Sequence, residues 1–538
     1  MSSSVIGIET KLTRTGLKTA SKVAAALFAV VPTLVWPAPD AGTVLQELEA
    51  RPGGALMAPK LKIPQAPTPP AADLGGPVVR VNDFRIEGQT LLPTETLQAA
   101  LAGFKGRDLS FTQLQEAAWV LVQTYRNAGW LVHAVVPPQE IEGGIVKLRV
   151  VEARMGKVRI DFPKGDLPRE RIQAMARAHL PAGQPVNLQQ VDRLLLLLDD
   201  MPGLAASASF AEGEEASSTD VLVILGKEKT VQANIMADNF GGVSTGQIRL
   251  SANLMLNNPM GLGEALQLQG MRSQGTEYGR LAWTFPVGVQ GSRAGLHASD
   301  LNYHLVGSFA PLQASGSAQS WGLDLSVPMV RQPDRNLSAQ FTSDRKHFNN
   351  LSASSSGSDP VTVSHYLLDV LRAGLVGNWL DQLFTPGKNT LSLQSSWGNV
   401  NLNQSPNAQA DSLAANTAGY FYKLNANYNR EQSLGGQTSW YLQAAAQWAN
   451  RNLDTSEKLY LGGGYGVRAY PTSEAGGSVG TTLTTGVKQR LDIAYTLNAF
   501  VDWGHILVHK KNLNAAGSAI SSLNSQSLQG VEIGRAHV

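Results

Sequence analysis

The stretch Gln247-Ile-Arg-Leu-Ser-Ala-Asn-Leu-Met-Leu-Asn257 carries Ile248, Leu250, Ala252, Leu254 and Leu256 at every second position. Gln247, Arg249, Ser251, Asn253 and Asn257 fall between them. A period of two is that of an extended strand, whose successive side chains point to opposite faces. The alternation recurs at Val231/Ala233/Ile235/Ala237, Leu281/Trp283/Phe285, Trp321/Leu323/Leu325/Val327 and Leu337/Ala339/Phe341. It returns at Leu424/Ala426/Tyr428 and Trp440/Leu442/Ala444/Ala446/Trp448. This pattern predicts about 13 strands between Thr230 and residue 507, most of them about ten residues long.

A soluble sandwich would also alternate, so the chemistry of the two faces decides. The polar face holds mostly Gln, Asn, Ser, Thr and Arg, and the other face is aliphatic, with aromatics near the strand ends. An apolar exterior with aromatic girdles and a polar interior is the pattern of an outer-membrane barrel. Lipid demands that each backbone group be paired within the sheet, which a closed barrel achieves.

Composition agrees. Of 538 residues, 44 are Lys or Arg and 42 Asp or Glu, a net charge of +2, so charge gives no reason to expect a nucleic-acid partner. Charged residues make up 16%, against roughly 25% in soluble domains, yet the hydrophobic share is only 43%, too low for a bundle of membrane helices. Cys is absent, which excludes disulfides, thiolate metal sites and a cysteine nucleophile. The nine His residues show no metal-ligand spacing. Gly261-Leu-Gly263 lacks the strand-to-helix setting of a dinucleotide site, and neither a nucleophile elbow nor a phosphate loop is found. No catalytic residue, cofactor or metal is expected.

Upstream, Lys11, Arg14, Lys18 and Lys22 precede the apolar run Val23 to Trp36. A basic stretch before a short apolar core reads as an export signal over residues 1–40, without a clean cleavage site. Residues 41–50 predict a short helix with Val44, Leu45 and Leu48 on one face, and the Pro-rich residues 51–77 an extended linker. Two α+β units follow, over 78–153 and 154–228, each ordered β-α-α-β-β. In the first, Val79 to Ile86 reads as one strand. Ser110-x-x-Gln113 and Asn187-x-x-Gln190 resemble capping boxes. Asp199 and Asp200 read as a solvated helix end.

Two motifs then single out a family. Leu461-Gly-Gly-Gly-Tyr-Gly-Val-Arg-Ala-Tyr470 resembles the VRGY/F motif, and Phe500-Val-Asp-Trp-Gly504 its partner F-x-D-x-G. In this order and context the chain resembles the outer-membrane transporters of two-partner secretion, the haemolysin secretion/activation type. The small units resemble POTRA domains. The resemblance implies a 16-stranded barrel over 229–531 and a pore for one large secreted exoprotein, a haemolysin or adhesin. It also implies that Val467, Arg468, Ala469 and Tyr470 lie on a loop folded into the barrel, and that Phe500, Asp502 and Gly504 lie on the lumen side of a strand. Strand parity agrees: Leu497, Ala499, Val501 and Trp503 are the apolar face, so Asn498, Phe500, Asp502 and Gly504 face inward. An interior Asp needs a counter-ion, which Arg468 can supply. Ala469 departs from the usual Gly, and Gly476-Gly477 stands where many members carry Gly-Asp.

The resemblance further implies an outer-membrane location with periplasmic units, contact with outer-membrane lipid and assembly machinery, and a plug role for the helix at 41–50. Residues 131–136 and 205–210 are the sheet edges expected to capture the exoprotein by strand addition. An insertase of the same superfamily usually has more such units and lacks the helix. A passive porin needs no units. At the C-terminus, Glu532-Ile-Gly-Arg-Ala-His-Val538 is expected to break the strand begun at Gln529. It matches the translation of a common sequencing adapter, so 532–538 is expected to be a non-native tail, with about two or three closing strands missing from a 13–14-stranded wall. A sheet left open in lipid is expected not to insert stably.

Overall fold

The computed structural model describes residues 39–49, 77–165, 167–215, 217–353, 360–492, 495–513, 518 and 524–537. The expected export signal up to Ala38 and the linker up to Gly76 lie outside them.

Helix α1 spans Ala41–Glu49, and its apolar stripe Val44, Leu45 and Leu48 is buried. The first unit runs β1 Val78–Val81, β2 Asp83–Glu87, α2 Thr94–Ala100, β3 Arg107–Ser110, α3 Phe111–Asn127, β4 Val132–Val135 and β5 Ile145–Glu152. The single strand expected over Val79 to Ile86 is two. Val81 is buried at an odd position and Phe84 and Ile86 at even ones, so the apolar face changes sides at Asn82. There the Asn82 amide donates to Gly143 O, β1 turns to pair with β3, and β2 pairs parallel to β5. Helix α3 starts where the sequence predicts. Ser110 Oγ accepts from Gln113 N at 3.3 Å while Gln113 Oε1 accepts from Ser110 N at 3.0 Å.

The second unit repeats the plan: β6 Arg154–Asp161, α4 Arg169–His179, α5 Leu188–Asp199, β7 Leu204–Glu212 and β8 Ser218–Lys227. Its sheet order is β6-β8-β7, matching β2-β5-β4 of the first. In both, helices cover one face over a core of Leu, Ile and Val. Asp200 is not simply solvated. It takes a fork of 2.6 and 2.7 Å from Arg331, which ties the second unit to a turn of the large sheet.

That sheet is antiparallel and 14-stranded. Its strands are β9 Val231–Asp238, β10 Arg249–Asn257, β11 Ala265–Arg272, β12 Thr276–Val287, β13 Ser292–His304, β14 Ser315–Arg331 and β15 Arg335–Ser352. They continue as β16 Val361–Asp381, β17 Gly387–Asn401, β18 Gly419–Gly435 and β19 Thr438–Ala449. A separate ribbon of β20 Leu459–Leu461 and β21 Ala475–Gly477 leaves the wall, which resumes with β22 Val479–Arg490, β23 Tyr495–Leu507 and β24 Ser525–His537. The expected break at Glu532 does not occur. β24 pairs with β23 from Ser525↔Leu507 to His537↔Tyr495. Backbone pairing is indifferent to side-chain identity, and Ile533 keeps the outward parity of Val531. β9 and β24 end the sheet, and they are not paired with each other among the described residues.

The two faces are inverted relative to a soluble protein. Leu268 faces Leu281, Leu296 faces Leu323, Leu325 faces Phe341 and Leu375 faces Leu393, and all are exposed. Ser299, Ser320, Asp344, Lys346, Asn350, Ser396 and Lys423 are buried. So continuous an exposed apolar band suits lipid, not water. No described helix is long and apolar enough to cross a membrane; the strands provide the crossing.

Candidate functional site

The ribbon β20–β21 folds into the space that the sheet encloses. Arg468, at its tip, meets Asp502 of β23: Nε to Oδ2 at 2.9 Å, Nη2 to Oδ1 at 2.8 Å, and the Arg468 backbone N–H to Oδ2 at 3.0 Å. Thr484 Oγ1 donates to Asp502 Oδ1 at 2.8 Å. The guanidinium lies over the Phe500 ring, 3.2 Å from its centroid. Asp502 is 1% exposed. A carboxylate so enclosed is tolerated because its oxygens are filled by charge-assisted donors. A Cβ at Gly504 would lie 2.7 Å from Leu461 Cδ2, so glycine there lets the loop approach. Val467 is fully buried against this position. Ala469 fits because it faces another glycine: a Cβ at Gly530 would sit 2.9 Å from that of Ala469. Tyr470 closes the tip through its backbone, which bonds with Gly463 and Val467. Gly477 abuts Ile506, where a Cβ would come within 2.6 Å, so the position has no room for an acidic side chain.

The structure also holds a polar network that the sequence reading missed. Glu457, in the loop before β20, is 1% exposed. It takes Arg372 Nη2 at 2.6 Å, Lys423 Nζ at 2.7 Å and Lys346 Nζ at 3.8 Å. Arg372 also reaches Asp344, whose Oδ1 lies 2.8 Å from His297 Nε2. Parity placed these wall residues inward. Nothing local in Asp454-Thr-Ser-Glu457 signals three cations on β15, β16 and β18.

Helix α1 is seated in the same space. Asp40 caps it, accepting from Thr43 N at 2.8 Å, and also accepts from Thr455 Oγ1 at 2.8 Å. Thr43 Oγ1 lies 3.0 Å from Tyr460 OH, and Ala41 N donates to Asn350 Oδ1 at 2.8 Å. A Cβ at Gly42 would fall 2.4 Å from Thr455 Oγ1, so the helix backbone rests on the loop. Glu47 faces Arg249 at 3.5 Å. Glu49 faces Lys346 at 3.5 Å and Arg280 at 3.7 Å, and accepts from Ser299 Oγ at 3.0 Å. Val44, Leu45 and Leu48 join Tyr303, Phe348 and Tyr366 in one apolar cluster.

The small units hold a second feature. β4 and β7 are edge strands of their sheets, and both open into one groove of about 880 Å³. Trp119, Val122, Val132, Ala134, Leu195 and Phe210 line it. The Trp119 indole N–H is buried without a hydrogen-bond partner. In the first unit, burial pushes the Glu152 carboxyl up, but donors from Thr90, Leu91 and Tyr125 outweigh it and hold the group below its usual range. Among the described residues no three His, Asp or Glu converge as a metal site.

Comparison with known proteins follows the same division. A family described as "Haemolysin secretion/activation protein ShlB/FhaC/HecB" matches residues 217–523, and one described as "POTRA domain, ShlB-type" matches residues 79–153. The heme/hemopexin transporter protein HuxB of Haemophilus influenzae (strain 86-028NP) is 26% identical over 508 residues, covering 91% of this chain and 87% of its own. The outer membrane transporter CdiB of Escherichia coli is 23% identical, covering 76% of this chain and 69% of its own. The solved structure of CdiB from Escherichia coli superposes with a TM-score of 0.62 at 19% identity, covering 89% of this chain and 86% of that one.

Proposed function

The chain belongs to the haemolysin secretion/activation family of outer-membrane transporters, and on that premise we propose that it captures one large exoprotein in the periplasm and passes it outward through the barrel in extended form. The groove between the two units carries this reading. Two sheet edges, an apolar floor and the unpaired Trp119 N–H converge there, as strand addition of an extended segment requires. Main-chain bonds to an edge give affinity that tolerates many sequences, while pockets between the edges select alternate side chains.

The lumen supplies the path. α1 fills it at rest as a plug and leaves it for the passenger. The Arg468–Asp502 clamp keeps the loop in its working position. The periplasm offers no ATP, and the sequence has no phosphate loop. Burial of the exoprotein's own apolar surface as it folds outside supplies the drive. Outer-membrane lipid covers the apolar band, and the assembly machinery of that membrane inserts the barrel. The exoprotein is a haemolysin or an adhesin. This is transport, not catalysis.

Secretion of the cognate exoprotein into the medium tests the reading. Deleting residues 78–153, or placing charges in the groove with Val122→Glu and Phe210→Glu, abolishes export while the barrel remains inserted. Unchanged export by both variants rejects the capture role.

A further inference from the structure

α1 and its seat are electrostatic opposites. Residues 40–49 contain Asp40, Glu47 and Glu49 and no Lys or Arg. The wall that receives them presents Arg249 of β10, Arg280 of β12 and Lys346 of β15, three strands far apart in sequence. Arg249 and Lys346 are 5% and 4% exposed. Arg249 keeps Asp238 at 2.8 Å, and Lys346 keeps Glu457 at 3.8 Å, when the helix is disregarded. Arg280 has Glu49 as its only carboxylate partner among the described residues. Removing α1 therefore strips two carboxyl groups from the wall and leaves Arg280 without a carboxylate partner among the described residues. Three cations on one stretch of wall repel one another, so the vacated seat favours a replacement anion.

We propose that Arg249, Arg280 and Lys346 form a recognition track for acidic polypeptide, which α1 occupies at rest and which an acidic stretch of the translocating chain takes over in transit. The inference rests on the translocation reading and deepens it: the plug is a resident competitor for the passenger's own site. Charge complementarity then sets which chains displace the plug. The apolar stripe of α1 gives the resting seat its grip, because an acidic segment lacking that stripe binds more loosely and moves on. Glu47 and Glu49 are specificity elements of the plug, and the three cations are specificity elements of the pore.

The chain has no cysteine, so a spin label at Gln46→Cys on the full chain in detergent micelles reports helix release without background. An oligo-glutamate peptide mobilises the label, and an oligo-lysine peptide of equal length at equal ionic strength does not. In R280Q/K346Q the label is mobile before any peptide is added, and fluorescent oligo-glutamate binds about fivefold more weakly, the loss expected of two partly screened ion pairs. In E47Q/E49Q the label is also mobile, but oligo-glutamate binding is retained or strengthened. A retained far-ultraviolet circular-dichroism spectrum of β-sheet establishes that each variant keeps its fold. Equal release by the acidic and basic peptides, or unchanged oligo-glutamate binding in R280Q/K346Q, overturns the proposal. If the exoprotein is still exported while either of those results is found, only this inference falls. If peptide exchange behaves as stated and export never occurs, the translocation reading falls instead.

Discussion

Strand β5 in the first unit and strand β23 in the wall alternate with the same period and bury opposite chemistry. β5 hides Val146, Leu148 and Val150 and shows Lys147, Arg149 and Ile145 to water. β23 hides Phe500 and Asp502, while Leu497, Val501 and Trp503 are exposed. The backbone geometry is shared, so alternation alone identifies a strand and says nothing about its solvent. What separates the two regions is the residue type on the exposed face: chiefly ions on one, Leu, Val and Trp on the other. The second lesson concerns the buried faces. In the units the interior is held by apolar contact. In the wall, ion pairs add to apolar contact, and removing one partner of a pair leaves a buried charge.

The largest effect is therefore expected in the wall. Arg468→Ala strands Asp502 and costs about 3–5 kcal/mol in denaturant unfolding of the detergent-held protein. R468A/D502A costs clearly less than the sum of the two single changes. If the costs add, the contact carries no energy and the contrast between the regions weakens. Next comes the outer face. Leu323→Arg costs about 2–4 kcal/mol in lipid, as a cation near the middle of a bilayer does. Ile145→Arg, on a comparably exposed site in the first unit, stays within about 0.5 kcal/mol. Equal costs at the two sites break the claim that they face different solvents. Smaller still, Ser110→Ala removes half of a reciprocal cap and costs about 1 kcal/mol, read from the fluorescence of Trp119 and Trp130 as the first unit unfolds.

The last is a pH effect. Glu152 is held below its usual range by four donors, so its contribution is present above about pH 4.3, the ordinary value for such a group. It is lost as pH falls through the depressed folded value. Glu152→Gln flattens the acid limb of the stability curve of the first unit, and an unchanged acid limb contradicts the assignment.

Much of this was legible in the sequence, for physical reasons. A strand exposes its parity residue by residue, so the 13 wall strands up to residue 507 and the inward placement of Asp502 follow from alternation. Helix α3 was legible because Ser110 and Gln113 satisfy each other locally. The split at Asn82 was present too, in the change of parity between Val81 and Phe84, but strand-forming Val, Phe and Ile on both sides of Asn82-Asp83 mask it. The continuation of β24 was not legible, because a strand template acts through its neighbour's backbone. Nor was the grip on Glu457, whose cations at 346, 372 and 423 meet only after the sheet curls. Sequence motifs report contacts within a motif or between a motif pair; a network shared among three strands leaves no local trace.

The central claim is that the exoprotein travels on the inner face of this wall. Leu393 and Gln394 are neighbours on β17, one exposed on the outer face and one turned inward. A photo-crosslinking residue at position 394 captures the cognate exoprotein during secretion, and the same residue at position 393 captures none. Capture from position 393 alone, or equally from both, contradicts the account.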